Sequence, residues 1–249
     1  MRRMYQTEWQ GIRFAELGKL SSSRLADAAF YEKFYAELFR RYPGWDALDP
    51  AWRRLKEKYA EFVLSRIAPQ ASAVLSMGCG LGFMEHALHD KLPSSTRLHV
   101  HEIAPTALRW LAHEMPAEQV HLGPISEVLR DAPPFDLIYL CGVDYALDER
   151  EFADLLRDLV PHLKPGGELL VISLSFEQEE PLSRRTLAGA KQAARLILDR
   201  LGMRSIGQFW GWNRNREDYR RIFDVAGFPP TAEGRIEGGA YWIGCRAPA

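Results

Sequence analysis

The sequence feature that most restricts the possible folds of this chain is a glycine-rich turn between an apolar run and a helical pattern. Residues 73–77 have the pattern of a short apolar strand, glycines follow at 78, 80 and 82, and a helical pattern runs through 85–88. Glycine lets the backbone turn tightly and approach a ligand because it has no Cβ. Free amide groups at such a helix start favour an anionic or carboxylate-bearing ligand. The turn therefore predicts a ligand site between strand and helix.

The spacing of the glycines differs from that of a dinucleotide-binding turn. The pattern is GxGxG, and Phe83 occupies a position where a dinucleotide site needs a small residue for close helix packing. Glu102 ends the next predicted strand, and a carboxylate there accepts hydrogen bonds from both hydroxyls of a ribose. A glycine turn taken alone also fits a purely structural loop. Glu102 favours a nucleoside ligand instead.

Apolar strand patterns alternate with amphipathic helix patterns through the middle of the chain. This alternation predicts a mostly parallel sheet with helices on both faces. Two strand patterns near the end flank Gly238 and Gly239 and predict a hairpin. The predicted strands lie at 73–77, 98–101, 119–122, 135–141, 168–173, 231–236 and 240–245, with helices at 105–115, 126–129, 151–163 and 217–225.

Helical periodicity also precedes the first strand of the sheet. Apolar residues recur at helical spacing over 22–67, with a break at 42–46, so we expect residues 1–70 to form a helical N-terminal cap. Residues 71–249 then form the main domain. Within it, 176–212 are predicted to be an inserted lid. The lid contains a polar helix over 181–201 and most of an aromatic loop over 209–213.

Composition excludes several classes of protein. The formal net charge is -1, which provides no general excess of Lys and Arg for nucleic acid or an anionic membrane. The three cysteines are scattered, which argues against a disulfide framework or a structural zinc site, and the histidine pairs at 86/89 and 99/101 lack converging ligands for a metal. No apolar run is long enough to span a bilayer. We expect a cytoplasmic protein without metal.

Four segments in this order resemble the class I S-adenosylmethionine-dependent methyltransferase family. They are residues 74–82, Glu102, residues 135–138 and residues 163–167, and the match covers roughly 71–175. The resemblance implies an α/β fold with a Rossmann-like, seven-stranded, mostly parallel sheet and an antiparallel C-terminal hairpin. It also implies S-adenosylmethionine as the cofactor.

The resemblance places the cofactor on particular residues. Gly78, Gly80 and Gly82 would line its methionine and ribose part, and Glu102 would hold the ribose hydroxyls. Ile103 and Ile125 would sandwich the adenine. The remaining expected cofactor contacts are Ser76, Cys79, Cys141 and Gly142.

Two residues depart from the family pattern. Ser76 stands where the family usually has an acid, and Pro124 stands where it often has an aspartate that contacts the adenine amine. Ser76 still forms hydrogen bonds but carries no charge, and Pro124 offers only a carbonyl. The departures therefore concern cofactor affinity more than the fold.

Candidate catalytic residues follow the fourth predicted strand of the sheet. Asp144 and Tyr145 are expected to contact the acceptor or to act as a base, since loops at strand ends often carry function. The other interpretation is that Asp144 caps a turn and Tyr145 packs against the next helix. The candidate acceptor-binding residues are aromatic or polar, and for each of the aromatic ones core packing is the competing interpretation: Tyr31, Tyr35, Trp210, Trp212 and Asn213.

These observations favour a methyltransferase that acts on oxygen or nitrogen of a small molecule or glycan. Residues 30–35 and 42–45 resemble segments of methyltransferases from polysaccharide or secondary-metabolite pathways, and the resemblance implies such a pathway here. A second interpretation is a protein that binds the cofactor without catalysis and serves as a regulator or assembly partner. A third, a nicotinamide-dependent oxidoreductase, conflicts with the glycine spacing and with the Lys164–Pro165–Gly166–Gly167 turn.

Overall fold

A computed structural model describes residues 1–177 and 182–248 of the chain. Its centre is a seven-stranded sheet of order β10-β11-β8-β7-β4-β5-β6. Strands β4 to β8 are mutually parallel, and β10 and β11 join the β8 edge antiparallel. The strands are β1 (Arg2–Gln6), β2 (Glu8–Trp9), β3 (Ile12–Arg13), β4 (Ala73–Met77), β5 (Arg97–Glu102), β6 (Val120–Leu122), β7 (Phe135–Cys141), β8 (Leu163–Ser173), β9 (Gln208–Asn213), β10 (Ala232–Arg235) and β11 (Tyr241–Arg246).

Helices cover both faces of this sheet. Every residue of β4 is buried, as expected for a parallel strand that is covered on both sides. One apolar cluster packs α5 and α7 against the sheet, and a second packs α2 and α3 against the opposite face. The helices are α1 (Ala28–Arg41), α2 (Pro50–Arg66), α3 (Phe83–His89), α4 (Ile125–Val128), α5 (Glu149–Leu159), α6 (Leu182–Arg200) and α7 (Arg216–Ala226).

Local sequence signals explain where several helices begin. Asp27 and Asp49 each accept a hydrogen bond from a backbone amide in the first turn of α1 and α2, and proline follows Asp49 at the first helical position. Asp148 and Asn215 form capping boxes at α5 and α7. The helix expected over 105–115 is wrong in type, because this segment forms short 3-10 turns at Pro105–Arg109 and Leu111–His113.

The N-terminal segment is not purely helical. Strand β1 pairs antiparallel with β9, and β2 and β3 form a small hairpin before α1 begins. Residues 209–213, predicted as an aromatic loop, are therefore part of strand β9. Aromatic residues are favoured in strands, and the partner of β9 lies at the opposite end of the chain. The first and last thirds of the chain thus meet in one layer beside the sheet.

The predicted fold class is confirmed. The predicted helix at 181–201 corresponds to α6, and residues 178–181 of the predicted lid lie outside the described part of the chain. The turn expected at Lys164–Gly167 lies within the bounds of β8, where the pairing with β7 is irregular and Gly166 has a φ of +72°. In the described residues, no helix has the length and apolar character needed to cross a membrane.

Candidate functional site

A cavity of about 710 Å³ opens at the carboxyl ends of the parallel strands. That edge is where open α/β sheets bind ligands, and the volume lies within the range of small-molecule and cofactor sites. The turn after β4, the end of β5, the turn after β7 and the N-terminal segment all contribute lining residues. The cavity is thus shared between the sheet and the layer that contains β1.

The glycine turn has the expected shape but few free amides. Gly78, Gly80 and Gly82 all have positive φ, which favours glycine. The amides of Gly78 and Cys79 donate to the His101 carbonyl, and that of Gly82 donates to the Cys79 carbonyl. The expectation of free amides is therefore wrong at these positions. These amides stabilise the turn and are not free to donate to a ligand.

Gly82 does not line the cavity, which corrects its predicted role as a cofactor contact. It is the residue before α3, and a Cβ there would lie 2.7 Å from Cδ2 of Leu111. Glycine is needed at this position because a larger side chain would collide with Leu111. Gly78, Cys79 and Gly80 do line the cavity.

Glu102 lies at the cavity and is held by three backbone amides. One carboxylate oxygen accepts from Gly80 N at 2.8 Å, and the other accepts from Ile103 N at 2.9 Å and Ala104 N at 3.1 Å. Burial raises the pKa of Glu102, against the opposing effect of these hydrogen bonds. An ionised carboxylate has about four acceptor positions, so one remains for a hydroxyl of a bound ligand.

Two isoleucines line the cavity together with Glu102. Ile103 is 58% exposed, unusually so for a large apolar side chain, and Ile125 at the start of α4 is partly buried. Both line the cavity. An apolar planar ring would cover this exposed surface, which fits the sandwich predicted for adenine.

Ser76 is part of a buried polar group that the sequence did not predict. Its hydroxyl donates to Oε1 of Glu85 at 2.5 Å, and the hydroxyl of Tyr139 donates to the same oxygen at 2.7 Å. Lys56 of α2 also lies at the cavity, where its ammonium donates to Sγ of Cys141 at 3.4 Å. Ser76, Glu85, Lys56 and Cys141 all line the cavity. Glu85 was missed because a polar residue on an amphipathic helix is ordinarily solvent-exposed.

Three tyrosines also line the cavity. The hydroxyl oxygens of Tyr31 and Tyr145 are 3.4 Å apart, and Tyr35 stacks beside Tyr31 with ring centroids 6.1 Å apart. Burial raises the pKa of Tyr145 to about 12, and it raises the pKa of Tyr31 and Tyr35 well above the ordinary phenol value. All three hydroxyls are therefore protonated at neutral pH. They can donate or accept hydrogen bonds but do not serve as bases.

Asp144 does not face the cavity, so its predicted role as a catalytic base is wrong. It is fully buried, and its carboxylate accepts a hydrogen bond from the hydroxyl of Tyr219. The Tyr219 hydroxyl also contacts Ser173 Oγ at 2.5 Å. These contacts place the Asp144 side chain between β8 and α7. Asp144 belongs to the short turn that carries Tyr145, but its side chain does not cap that turn, and Tyr145 lines the cavity, so the competing interpretation does not hold either.

The aromatic residues of β9 divide into two groups at a β-bulge, because the register with β1 skips Trp210 and so places Phe209 and Trp212 on the same side. Trp210 lines the cavity, is 4% exposed, and stacks on Phe14 with ring centroids 4.8 Å apart. Trp212 and Asn213 do not line it, which corrects their predicted role. Trp212 packs edge-on against Phe209 instead. The structure adds three N-terminal residues that sequence reasoning missed: Met4, Gln6 and Trp9.

Comparisons with known proteins agree with this geometry. Residues 74–167 match a family model described as "Methyltransferase domain". The tRNA U34 carboxymethyltransferase of Pseudoalteromonas translucida is 31% identical over 140 residues, which cover 53% of this chain and 41% of that protein. The enzyme of the same name from Pseudoalteromonas atlantica is 26% identical over 138 residues, covering 55% of this chain and 38% of its own. The chain therefore spans less than half the length of these relatives.

Solved structures with the same fold include human N-acetylserotonin methyltransferase in complex with S-adenosylmethionine. That match has a TM-score of 0.57 and 19% identity, and covers 90% of this chain and 57% of the human chain. Magnesium protoporphyrin IX methyltransferase from Synechocystis, with bound S-adenosylhomocysteine, matches with a TM-score of 0.58 and 11% identity, over 88% of this chain and 96% of its own.

The fold and the glycine turn beside Glu102 define a nucleoside-binding α/β protein of the Rossmann-like class. Within that class, residues 74–167 match a methyltransferase domain, and the solved structures that share the fold include a methyltransferase in complex with S-adenosylmethionine. The family resemblance predicted from the sequence is thus confirmed. Solved structures that share this fold contain S-adenosylmethionine or S-adenosylhomocysteine.

Proposed function

We propose that this chain transfers a methyl group from S-adenosylmethionine to an oxygen or nitrogen of a small molecule or glycan. The observation that carries the proposal is that one cavity is lined both by residues that suit an adenosine and by aromatic residues that suit an acceptor. The first set is Glu102, Ile103 and Ile125. The second set is Tyr31, Tyr145 and Trp210.

The proposed roles of the residues follow from their surroundings. Bound S-adenosylmethionine supplies an electrophilic methyl group, and the protein must align the acceptor with it and exclude water. The neutral hydroxyls of Tyr31 and Tyr145 orient the acceptor through hydrogen bonds, and Trp210 forms an apolar wall. Acceleration then comes chiefly from orientation, because the pKa of Tyr145, raised to about 12 by burial, keeps the phenol from removing a proton at neutral pH.

The N-terminal wall of the cavity and the net charge of the chain support a small acceptor. Strand β1 pairs with β9, and Met4, Gln6 and Trp9 of the N-terminal segment line the cavity. A formal net charge of -1 provides no general basic surface for the phosphates of a nucleic acid. A tRNA acceptor is the second candidate, because two curated relatives are named tRNA U34 carboxymethyltransferases.

The experiment is transfer of a radiolabelled methyl group from S-adenosylmethionine to a panel of sugars, phenols and amines, with bulk tRNA as a separate arm. Turnover of a panel compound, reduced at least about tenfold in Tyr145→Phe, supports the proposal. Turnover on tRNA alone would select the second candidate. Tight binding of S-adenosylhomocysteine with no turnover in either arm would favour a regulator or assembly partner that binds without catalysis.

A further inference from the structure

Glu85 presents a buried oxygen without a partner at the cavity. The side chain extends from α3, the residue is 2% exposed, and its Oε1 accepts from both Ser76 and Tyr139. Its Oε2 is buried and has no hydrogen-bond partner. A buried carboxylate oxygen without a donor costs free energy, so the position favours a ligand that brings one.

Lys56 presents the opposite charge to the same cavity. Its ammonium donates to Cys141 Sγ and lies 5.9 Å from the ring centroids of both Trp52 and Tyr59. Among the described residues, no carboxylate oxygen lies within 4.0 Å of it in an ion pair. Lysine has three donors, so the thiol contact leaves others for a ligand. An anion and a cation thus line one cavity without pairing with each other.

We infer that Glu85 and Lys56 together bind the zwitterionic α-amino-acid end of the cofactor, with the ammonium on Oε2 of Glu85 and the carboxylate on the ammonium of Lys56. The inference rests on the proposed function, since it takes S-adenosylmethionine as the ligand. An α-amino acid carries both charges on one carbon and satisfies both residues at once. A ligand with one charge would leave the other residue unpaired.

The role of Ser76 follows from this arrangement. Ser76 lies near the end of β4, and its hydroxyl donates to Glu85 in the first turn of α3. Ser76 and Tyr139 hold Oε1, which leaves Oε2 as the oxygen available to an ammonium group. Both are positioning residues for Glu85.

The test is calorimetric binding of three ligands that differ only at the amino-acid end. S-adenosylhomocysteine carries both charges, its decarboxylated analogue keeps the ammonium alone, and 5′-methylthioadenosine carries neither. The variants are Glu85→Gln and Lys56→Met. Glu85→Gln keeps the hydrogen bonds from Ser76 and Tyr139 but presents an amide donor to the ammonium. Glu61→Gln and Lys58→Met, both on α2, are controls, because Glu61 is exposed and Lys58 pairs with Glu237 at the surface.

We expect Glu85→Gln to weaken S-adenosylhomocysteine and its decarboxylated analogue by about 10- to 100-fold and to leave 5′-methylthioadenosine within about twofold. Lys56→Met should weaken S-adenosylhomocysteine alone by a similar factor. The controls should change none of the three affinities.

The outcomes separate this inference from the proposed function. If a variant weakens all three ligands equally, its residue only supports the fold of the site, and the inference fails. The inference also fails if affinity for S-adenosylhomocysteine is unchanged in both variants. If the unmodified protein binds none of the three ligands, both the inference and the proposed function fail. Unchanged affinity for 5′-methylthioadenosine also shows that a variant is folded.

Discussion

Arg214 donates a hydrogen bond from its guanidinium to the carbonyl oxygen of Asp144 at 2.5 Å. A second donor of the same side chain bonds the carbonyl of Leu147, and the guanidinium lies 5.4 Å from the ring centroid of Phe152. Arg214 is fully buried. It therefore fixes both ends of the turn that brings Tyr145 to the cavity, although Arg214 itself does not line it.

Arg214→Met should destabilise the protein by about 2–4 kcal/mol, because two buried carbonyls lose their donors and methionine replaces neither. The free energy of unfolding in urea measures this effect. The control is Arg216→Met, which removes an ion pair with Glu233 from a half-exposed side chain and should cost less than about 1 kcal/mol. Equal losses in the two variants would contradict the role of Arg214.

Glu102→Gln should weaken S-adenosylhomocysteine by about 10- to 100-fold. Glutamine replaces one acceptor oxygen by a donor amide, which then faces the backbone N–H of Gly80 or those of Ile103 and Ala104. We therefore expect the substitution to disrupt both the glycine turn and the hydrogen bond to the ribose. Calorimetry measures the affinity, and Glu118→Gln, an exposed position, is the control. Retained affinity in Glu102→Gln would mean that the ribose is bound elsewhere.

Trp210→Ala should cost about 3–5 kcal/mol of stability, as expected when a buried tryptophan that stacks on Phe14 is truncated. Trp212→Ala should cost less than about 2 kcal/mol, because Trp212 is partly exposed and its contacts are with Phe209 and Arg3. Far-UV circular dichroism in urea gives both values without relying on tryptophan fluorescence. A larger loss of stability for Trp212→Ala than for Trp210→Ala would contradict the assignment of Trp210 to the cavity side of β9 and of Trp212 to its outer side.

Stability should depend on pH through Glu85. Burial raises the pKa of Glu85 from 4.5 in spite of its hydrogen bonds, so the folded protein holds this proton more tightly than the unfolded chain does. Its contribution to stability is therefore complete below pH 4.5 and is lost as the pH rises through the raised pKa. The free energy of unfolding of the unmodified protein, minus that of Glu85→Gln, should fall over this window by at most about 1.4 kcal/mol per pH unit.

Denaturant unfolding of both proteins over pH 4 to 8, a range of roughly four units around the window set by linkage, tests this dependence. Saturating S-adenosylhomocysteine should reduce the fall, because an ammonium beside Oε2 stabilises the ionised carboxylate. A difference that stays flat or rises with pH would show that burial does not raise the pKa of Glu85.

Where the sequence carries a local signal, the place of a residue in the sheet could be predicted. The direction of a side chain could not be predicted where its neighbours are distant in the chain. Gly78, Gly80 and Glu102 stand at the ends of strands whose apolar patterns are clear, so their place at one edge of the sheet follows from topology. Asp144 is also at a strand end, but its direction depends on Tyr219 and Arg214, which belong to later elements. Strand-end position alone therefore could not distinguish Asp144, which is buried, from Tyr145, which lines the cavity.

The pairing of β1 with β9 had no local signal either. Arg2 lies opposite Asn213 across more than two hundred residues of chain, and neither segment alternates clearly enough to indicate its partner. The position of Glu85 and Lys56 at the cavity could not be predicted either, because both lie on helices on which charged residues ordinarily face water. Their position at the cavity follows from how α2 and α3 pack on the sheet.

The amino-acid sequence by itself determined the parallel sheet, the glycine turn and the acid at the end of β5, because backbone periodicity and glycine conformation are properties of short segments. The tertiary structure alone decided which side chains share the cavity. Those contacts join elements far apart in the chain, and their selection depends on packing and on the burial of charge, which local patterns do not encode.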